Sequence, residues 1–361
     1  MNNLKNTLIG AFSLNRRSIR IIASVFAILT MFLTLSIQVT SAERVSVPEY
    51  DKEEGAYLIH DLAELNYIRK DLDNDYILKS DIDAKNAENF YDGRGWLPLG
   101  NDDTSFSGYF NGQGHRIKNI HINRPDSSYI GLFGWIGREG VVSDVKMERV
   151  SVFGHRNVGG LAGYSNGKVV DSTSSGVVDG DTNSGGLVGY NSSLLSCSSS
   201  SVTVKGGKNV GGILGYNAGE GVLVESYAVG NVEGGLNVGG LVGYNSEGTV
   251  EDGKGVIERA YAEGDVFGYR WVGGFVGTNF GEVDVCYARG DVEGSSYVGG
   301  FMGGVRPGGS VDEVYSSGKV KGENDVGGFS GYKNDKSSVS ASYWDKESNS
   351  VVSSEGGVGL S

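Results

Sequence analysis

The sequence predicts an all-β protein built as a parallel β-solenoid of about eight coils. The chain of 361 residues contains 60 glycines and four prolines, without the strict period of collagen. A Gly-rich unit, written VGGLVGYN at residues 238–245, occurs seven times with small changes. The units recur at intervals of 26 to 34 residues, a range typical of stacked repeats.

The first 42 residues have the layout of a signal peptide. Four basic residues precede an uncharged apolar run from Ile21 to Ile37, and small residues follow up to Ala42. The run is 17 residues long, whereas a membrane-spanning helix needs about 20. We therefore expect cleavage after Ala42, with an uncleaved membrane anchor as the alternative. Both predict a secreted or cell-surface protein, which contacts a membrane only through this segment and only if the segment is uncleaved.

The charge of the chain argues against nucleic acid as a partner. The formal net charge is −13, and it becomes −17 once the four basic residues of the signal segment are removed. A surface of this sign repels phosphate backbones. The chain has only two cysteines, which is too few for a disulfide scaffold of this size.

Residues 43–128 are predicted to form an N-terminal cap and the first strands. Within 55–72, apolar residues fall at helical spacing, and Asp61 with Glu64 fits a variant of the capping box. The apolar positions are Ile59, Leu62, Leu65, Ile68 and Leu72. A short helix here would cover the open sheet edge of the first coil, which could otherwise pair with another chain.

Residues 129–343 are predicted to form the repeat solenoid. A Val lies eight residues before the second glycine of every motif, between mostly polar neighbours, so we expect a strand with this Val pointing inward. Each repeat should contain three short strands, SYA, DVEG and VGGLVG. The motif glycine should recur because each coil needs positive φ or close backbone approach at the same corner. These glycines are Gly160, Gly186, Gly212, Gly240, Gly274, Gly300 and Gly328.

Residues 344–361 form a C-terminal tail. They follow one more SY segment, at 342–343, and contain no predicted helix, so we expect either a poorly protected sheet edge or a truncated chain. The two cysteines, Cys197 and Cys286, fall three coils apart. That separation is about 14 Å at the usual strand spacing, which is too far for a disulfide.

The tandem VGGLVGYN units, alternating with SYAVGNVEGG and CYARGDVEGS, resemble GLUG-motif repeat proteins. The lead-in GWLPLG…FSGYFNGQGHRIKNI and the tail SYWDKESNS are similar to flanks of that family, so the resemblance covers about residues 57–361. It implies an exported bacterial or archaeal protein of adhesin-like or envelope character and, with the crossover rule, a right-handed solenoid. Such repeats also accompany immunoglobulin-A-cleaving metallopeptidases, but this sequence lacks their H-E-x-x-H zinc motif. The resemblance implies no catalytic residues.

An acidic ladder is the candidate cation site. Asp265 and Asp291 occupy the same slot in neighbouring coils, with Asn231 one coil before. Like charges opposite each other are unfavourable unless an ion bridges them or water screens them. We therefore consider a calcium site, with a solvated face as the alternative, and predict no other cofactor.

The two insertions, at 246–258 and 304–312, are predicted to emerge at one corner and to form the specific binding face. Glu251, Asp252 and Lys254 are the candidate binding residues of the first insertion. Its sequence GTVEDGKG is one residue short of a phosphate loop, so a surface loop is expected.

Other short motifs are interpreted as structural. Ser165 lies in a G-x-S-x-G pattern but occupies a repeated corner slot, and the four histidines form no cluster. Two columns of tyrosines, one after the glycine motif and one in the SYA segments, are expected to pack between coils rather than bind sugars. A sequon at Asn191 falls in a slot expected to be exposed.

The favoured function is a non-catalytic exported module, adhesion-like or scaffold, that presents a repetitive face to polysaccharide or a surface protein. One alternative is a carbohydrate-active β-helix enzyme. A carboxylate pair beside Arg259, Arg270 or Arg289 in one groove would favour it. The other alternative is an accessory stalk of a longer protein.

Overall fold

The computed structural model describes residues 45–248, 253–349, 351 and 353–361. The predicted signal segment lies outside these residues, as do Glu251 and Asp252. Among the helices of the described residues, none is long and apolar enough to cross a membrane.

The described chain is an all-β parallel solenoid of about eight turns, as predicted, and from Tyr109 to Lys333 each coil contributes strands to three faces in the same order. Face A contains Glu49–Asp51, Ala56–Ile59, Tyr76–Leu78, Tyr109–Asn111, Val141–Ser143, Lys168–Val170, Leu194–Ser196, Val222–Val224, Val256–Glu258, Glu282–Asp284, Ser310–Asp312 and Ser338–Val339. Face B contains Ile82–Asp83, Arg116–Lys118, His121–Asn123, Ser128–Ile130, Lys146–Gly159, Thr173–Gly185, Ser199–Gly211, Tyr227–Ala228, Val232–Gly239, Tyr261–Ala262, Val266–Gly273, Tyr287–Ala288, Val292–Gly299, Tyr315–Ser316, Val320–Lys321, Asn324–Gly327, Tyr343–Asp345 and Val358–Leu360. Face C contains Phe133–Ile136, Ala162–Ser165, Val188–Asn191, Leu214–Asn217, Val242–Asn245, Val276–Asn279, Met302–Val305 and Ser330–Lys333.

The core follows the predicted Val column. Every Val of that column, from Val152 to Val320, is at most 2% exposed. A second column stacks Phe275 on Phe301 and Phe301 on Phe329, with ring centroids 4.7 and 5.4 Å apart. Burying each such side chain contributes about 1.5 to 3 kcal/mol.

The division of a coil into strands differs from the prediction. The SYA and DVEG segments both lie on face B, whereas VGGLVG turns the corner between faces B and C at Gly240 and Leu241. The face A strand, such as Val222–Val224, was not predicted. Only its middle residue is buried, so its sequence carries no periodic signal.

The motif glycines are explained by close backbone approach and not by positive φ. A Cβ on Gly212 would lie 2.2 Å from the carbonyl oxygen of Gly240 in the next coil. None of the motif glycines has a positive φ. The left-handed conformation falls instead on side-chain-bearing residues three positions earlier, such as Asn209 and Asn237, whose φ is 56°. Asn tolerates this region better than most residues.

The N-terminal helix is shorter than predicted. It spans Leu62–Tyr67 and continues as a 3-10 turn at Ile68–Lys70, while Ile59 ends a face A strand. Asp61 is the predicted N-cap: its carboxylate accepts the backbone N–H groups of Ala63 and Glu64 at 2.8 and 2.9 Å. Two further short helical segments are the 3-10 turn Lys85–Asn89 and the segment Phe90–Gly93.

The two ends of the sheets are formed by different elements. At the first end of face A, Glu49–Asp51 pairs antiparallel with Ala56–Ile59. The outermost element of this face is therefore a β-hairpin and not the predicted helix. At the other end, the tail covers the last coil. Ser354 Oγ accepts the N–H groups of Phe329 and Ser330 at 2.9 and 3.0 Å, and Val358–Leu360 pairs with Tyr343–Asp345. The tail thus adds one more strand to face B, and the choice between a poorly protected edge and a truncated chain stays a prediction.

Candidate binding surface on face B

A row of glycines forms a groove floor along face B. Gly154, Gly180, Gly206, Gly234, Gly268 and Gly294 pair in register on successive coils. A Cβ on Gly234 would lie 2.9 Å from the methyl groups of Val210 and Val238 in the core. Because the backbone lies directly on these valines, the outer surface is indented here. Over the coils from Gly154 to Gly234 this indentation encloses about 470 Å³.

Charged side chains line this part of the groove. Lys205 and Glu233 form an ion pair at 2.7 Å, and Asp179 and Asp181 line the same cavity. The hydrogen bond to Glu233 raises the pKa of Lys205. Two coils further on, Lys321 pairs with Glu293 at 2.7 Å. These two ion pairs join neighbouring coils, and charged and polar groups line the groove.

One coil interrupts this pattern with two exposed aromatic rings. Phe267 is 44% exposed and Tyr269 is 68% exposed, and they flank Gly268 of the groove floor. In neighbouring coils the slot of Phe267 holds Glu233 and Glu293. Residues two apart on a strand point to the same side. Neither ring stacks on another aromatic ring within the described residues, and both keep exposed surface that a ligand can reach.

The same strand continues into a cluster of rings and arginines. Trp271 stacks on Tyr297 at 3.9 Å, and the Tyr332 ring meets both rings edge-on. The guanidinium of Arg306 lies 4.8 Å from the Trp271 ring centroid, and that of Arg270 lies 5.2 Å from the Tyr297 centroid. We call these five residues the coil-six cluster.

The tyrosine column of face C is packed from Tyr164 to Tyr244, as expected. On face C, Trp135, Tyr164, Tyr190, Tyr216 and Tyr244 form one stack with successive centroids 3.9 to 5.0 Å apart. Each ring face is covered by the next ring, so a sugar cannot lie on it. Burial raises the pKa of Tyr190 and of Tyr244 to about 12.

Asn191 and Ser165 occupy one buried column on face C. Asn191 is 0% exposed and donates from Nδ2 to Asn217 Oδ1 at 3.0 Å. The expectation that the sequon is exposed is therefore wrong, because the amide belongs to an internal ladder. Ser165 is equally buried and donates to the carbonyl of Gly167 at 3.0 Å. It is a corner residue and not an exposed nucleophile.

The acidic ladder is held by backbone N–H groups. Asn231 Oδ1 accepts the N–H of Asp265 at 3.1 Å, and Asp265 Oδ1 accepts the N–H of Asp291 at 3.0 Å. Asp291 in turn accepts the N–H of Lys319 at 2.8 Å. Calcium binding here remains a prediction. Within the residues that the structure describes, no three or more His, Cys, Asp or Glu side chains gather to hold a metal.

The two insertions meet at one corner. Lys254 Nζ donates to the carbonyl of Gly308 at 2.8 Å, which joins the first insertion to the second. Glu251 and Asp252 lie outside the described residues, so their role as binding residues stays a prediction. The thiols of Cys197 and Cys286 are free, the first exposed and the second buried.

Arg259 has a carboxylate pair beside it. Its guanidinium contacts Glu225 at 3.1 Å and also Glu258. All three side chains are between 36% and 54% exposed and lie at the corner between faces A and B. The carboxylate pair beside an arginine, which would favour an enzyme, is therefore present at Arg259. It lies on an exposed corner and not in a groove.

The exposed aromatics and the coil-six cluster were not predicted from the sequence. The signal was present as a departure from the repeat, because VFGYRWVG at 266–273 replaces VEGGLNVG at 232–239. The changes fall at Phe267, Tyr269, Arg270 and Trp271.

Comparisons with known proteins agree with the repeat. The chain is 38% identical over 136 residues to halomucin of Haloquadratum walsbyi, covering 36% of this chain and 2% of that protein. It is 39% identical over 127 residues to a protein of Evansella cellulosilytica named as a Gly-rich membrane protein, covering 34% of this chain and 14% of the other. The chain thus spans a small part of either relative.

A crystal structure from Bacteroides ovatus described as an immunoglobulin A1 protease has a TM-score of 0.41 and 17% identity, covering 84% of this chain and 82% of that one. No functional conclusion follows from that likeness. The family model for the GLUG motif matches residues 234–266, which contain the VGGLVGYN unit. The predicted resemblance is confirmed there, and residues 234–266 of this chain are a GLUG motif.

Proposed function

We propose that the protein is a non-catalytic cell-surface module that binds polysaccharide in the groove of face B. The observation that carries this proposal is the pair of accessible rings, Phe267 and Tyr269, on either side of the groove floor. The relatives named as halomucin and as a Gly-rich membrane protein support a location at the cell surface.

The geometry suits a polymer that lies along the rod. A chain following the glycine floor passes between Phe267 and Tyr269, so the apolar face of a sugar can pack on an aromatic ring. The polar side chains that line the groove in adjoining coils, such as Lys205 and Glu233, can then hydrogen-bond to sugar hydroxyls. Repetition along the axis lets several sugars be held at once, which raises the overall affinity of weak individual contacts.

Binding to a panel of immobilised neutral and acidic polysaccharides tests the proposal. Each aromatic contact contributes about 1 kcal/mol, so the double variant F267A/Y269A should bind at least about tenfold more weakly. Y315A is the matched control, because Tyr315 is an exposed tyrosine of face B outside the groove. An equal loss in Y315A, or no binding to any polysaccharide, would contradict the proposal.

The absence of catalysis needs its own measurement. The protein should release no reducing ends or unsaturated sugars from any polysaccharide that it binds. If products are released and E225Q/E258Q abolishes that release, the carboxylates beside Arg259 are catalytic and the enzyme alternative is correct.

A further inference from the structure

We propose that the polysaccharide is anionic and that Arg270 and Arg306 of the coil-six cluster bind its carboxylate or sulfate groups. This inference rests on the proposed function and names the chemistry of the ligand. Both arginines lie against the ring of Trp271. Trp271 belongs to the strand that also carries Phe267 and Tyr269.

The two guanidinium groups are free of anionic partners in the described chain. Several other cations of face B form ion pairs: Arg116 with Glu148 at 2.7 Å, Arg289 with Glu263 at 3.4 Å and Lys321 with Glu293 at 2.7 Å. Within the described ranges, neither Arg270 nor Arg306 comes within 4.0 Å of a carboxylate oxygen of another residue. In a chain of net charge −13, two arginines that lie beside one indole ring and have no carboxylate partner among the described residues favour the binding of an anion.

Aromatic rings hold these arginines instead of carboxylates. The Arg306 guanidinium lies 4.8 Å from the Trp271 centroid and 5.5 Å from those of Phe280 and Tyr332. Such cation–π contacts restrict the side chain before a ligand arrives. A guanidinium stacked on a ring keeps its N–H edge free, and that edge can bind a carboxylate or sulfate through two hydrogen bonds.

The backbone around the cluster makes room for it. A Cβ on Gly304 would lie 2.5 Å from Trp271 Cζ3, so glycine at this position lets the indole fit against face C. Arg306 follows two residues later, and its N–H donates to the carbonyl of Asn279 at 2.8 Å. The arginine therefore starts from a fixed backbone position beside the ring it covers.

The overall charge narrows the class of anion. A dense polyphosphate would be repelled by the rest of the surface, since the net charge is −13. A polysaccharide that carries one charge on each sugar or on each repeating unit can place one carboxylate or sulfate group at each of the two arginines. Salt should weaken this contact because part of it is exposed.

Two polymer pairs test the inference: polygalacturonate against its carboxyl-reduced form, and dextran sulfate of low substitution, with at most about one sulfate on each sugar, against dextran. The wild-type protein should bind at least one anionic polymer about tenfold more tightly than its neutral partner, which corresponds to about 1.4 kcal/mol. R270Q/R306Q should remove that preference. K208Q should keep it, because Lys208 is an exposed cation in the same slot of face B two coils away.

The outcomes separate the inference from the proposed function. If F267A/Y269A weakens binding but charged and neutral polymers bind equally well, the anionic preference is refuted and the groove remains. If no polymer binds, both proposals fail. Thermal unfolding checks that R270Q/R306Q is folded. If the double variant is unfolded, the single variant R270Q is measured instead, because Arg270 is exposed. R270Q should reduce the preference for anionic polymers, and an unchanged preference would overturn the inference.

Discussion

Substituting Gly240 by Ala tests why the motif glycine recurs in every coil. The new Cβ would lie 2.1 Å from the carbonyl oxygen of Gly274 in the next coil. That coil cannot retreat freely, because Gly240 N–H donates to Gly273 at 3.2 Å and Leu241 N–H donates to Phe275 at 2.9 Å. Overpacking costs about 1 to 3 kcal/mol, and each inter-coil hydrogen bond that is lost adds about 1 kcal/mol.

We therefore expect G240A to lower the free energy of unfolding by about 3 to 5 kcal/mol. Urea unfolding followed by tryptophan fluorescence measures this change. G308A is the control: no atom lies within 4 Å of its new Cβ, and only the φ of +80° opposes the substitution. It should cost about 1 kcal/mol. If G240A is no more destabilising than G308A, close approach between coils does not explain the repeated glycine.

Three further outcomes are expected. Only Cys197 should react with a thiol reagent in the native protein, whereas both thiols should react after unfolding. The reason is that burial shields Cys286 and raises its pKa to about 12. Two reactive thiols in the native protein would contradict the buried position of Cys286. Since the pKa of Tyr190 and of Tyr244 is raised from 10.0 to about 12 in the folded state, the stability they contribute is complete below pH 10 and is lost as the pH rises toward 12. Unfolding midpoints across this range should fall less steeply in Y190F, and phenolate absorbance from all tyrosines at pH 10 would refute the shift. N217A should lower the free energy of unfolding by about 2 to 3 kcal/mol in urea, because the buried side-chain amides on both sides of this residue each lose a hydrogen-bond partner. A decrease below about 0.5 kcal/mol, as for a surface substitution, would show that the ladder contributes little to stability.

The columns that repeat in every coil could be predicted from the sequence. The Val column and the motif glycines follow from a single rule, since each coil has nearly the same environment as the coil below it. The buried valines and the close approach at Gly212 and Gly240 confirm this. Strands with a single inward residue, such as the face A strand around Leu223, show too little alternation to be predicted from the sequence.

Side-chain conformations at the corners could not be predicted in the same way. The expectation that Asn191 is exposed failed because an amide can satisfy its hydrogen bonds within a buried ladder. Likewise, positive φ falls on the Asn209 and Asn237 column, although glycine is the residue that sequence reasoning associates with it.

The sequence by itself determined the solenoid, its approximate number of coils and the inward Val column, because these depend on local alternation repeated at a fixed interval. The tertiary structure alone decided the groove of face B, the tail over the last coil and the coil-six cluster. Trp271 and Arg306 are 35 residues apart in the chain and meet only because the coils stack in register. A contact of that kind depends on the length of each turn and the direction of each side chain, which single-coil patterns do not contain.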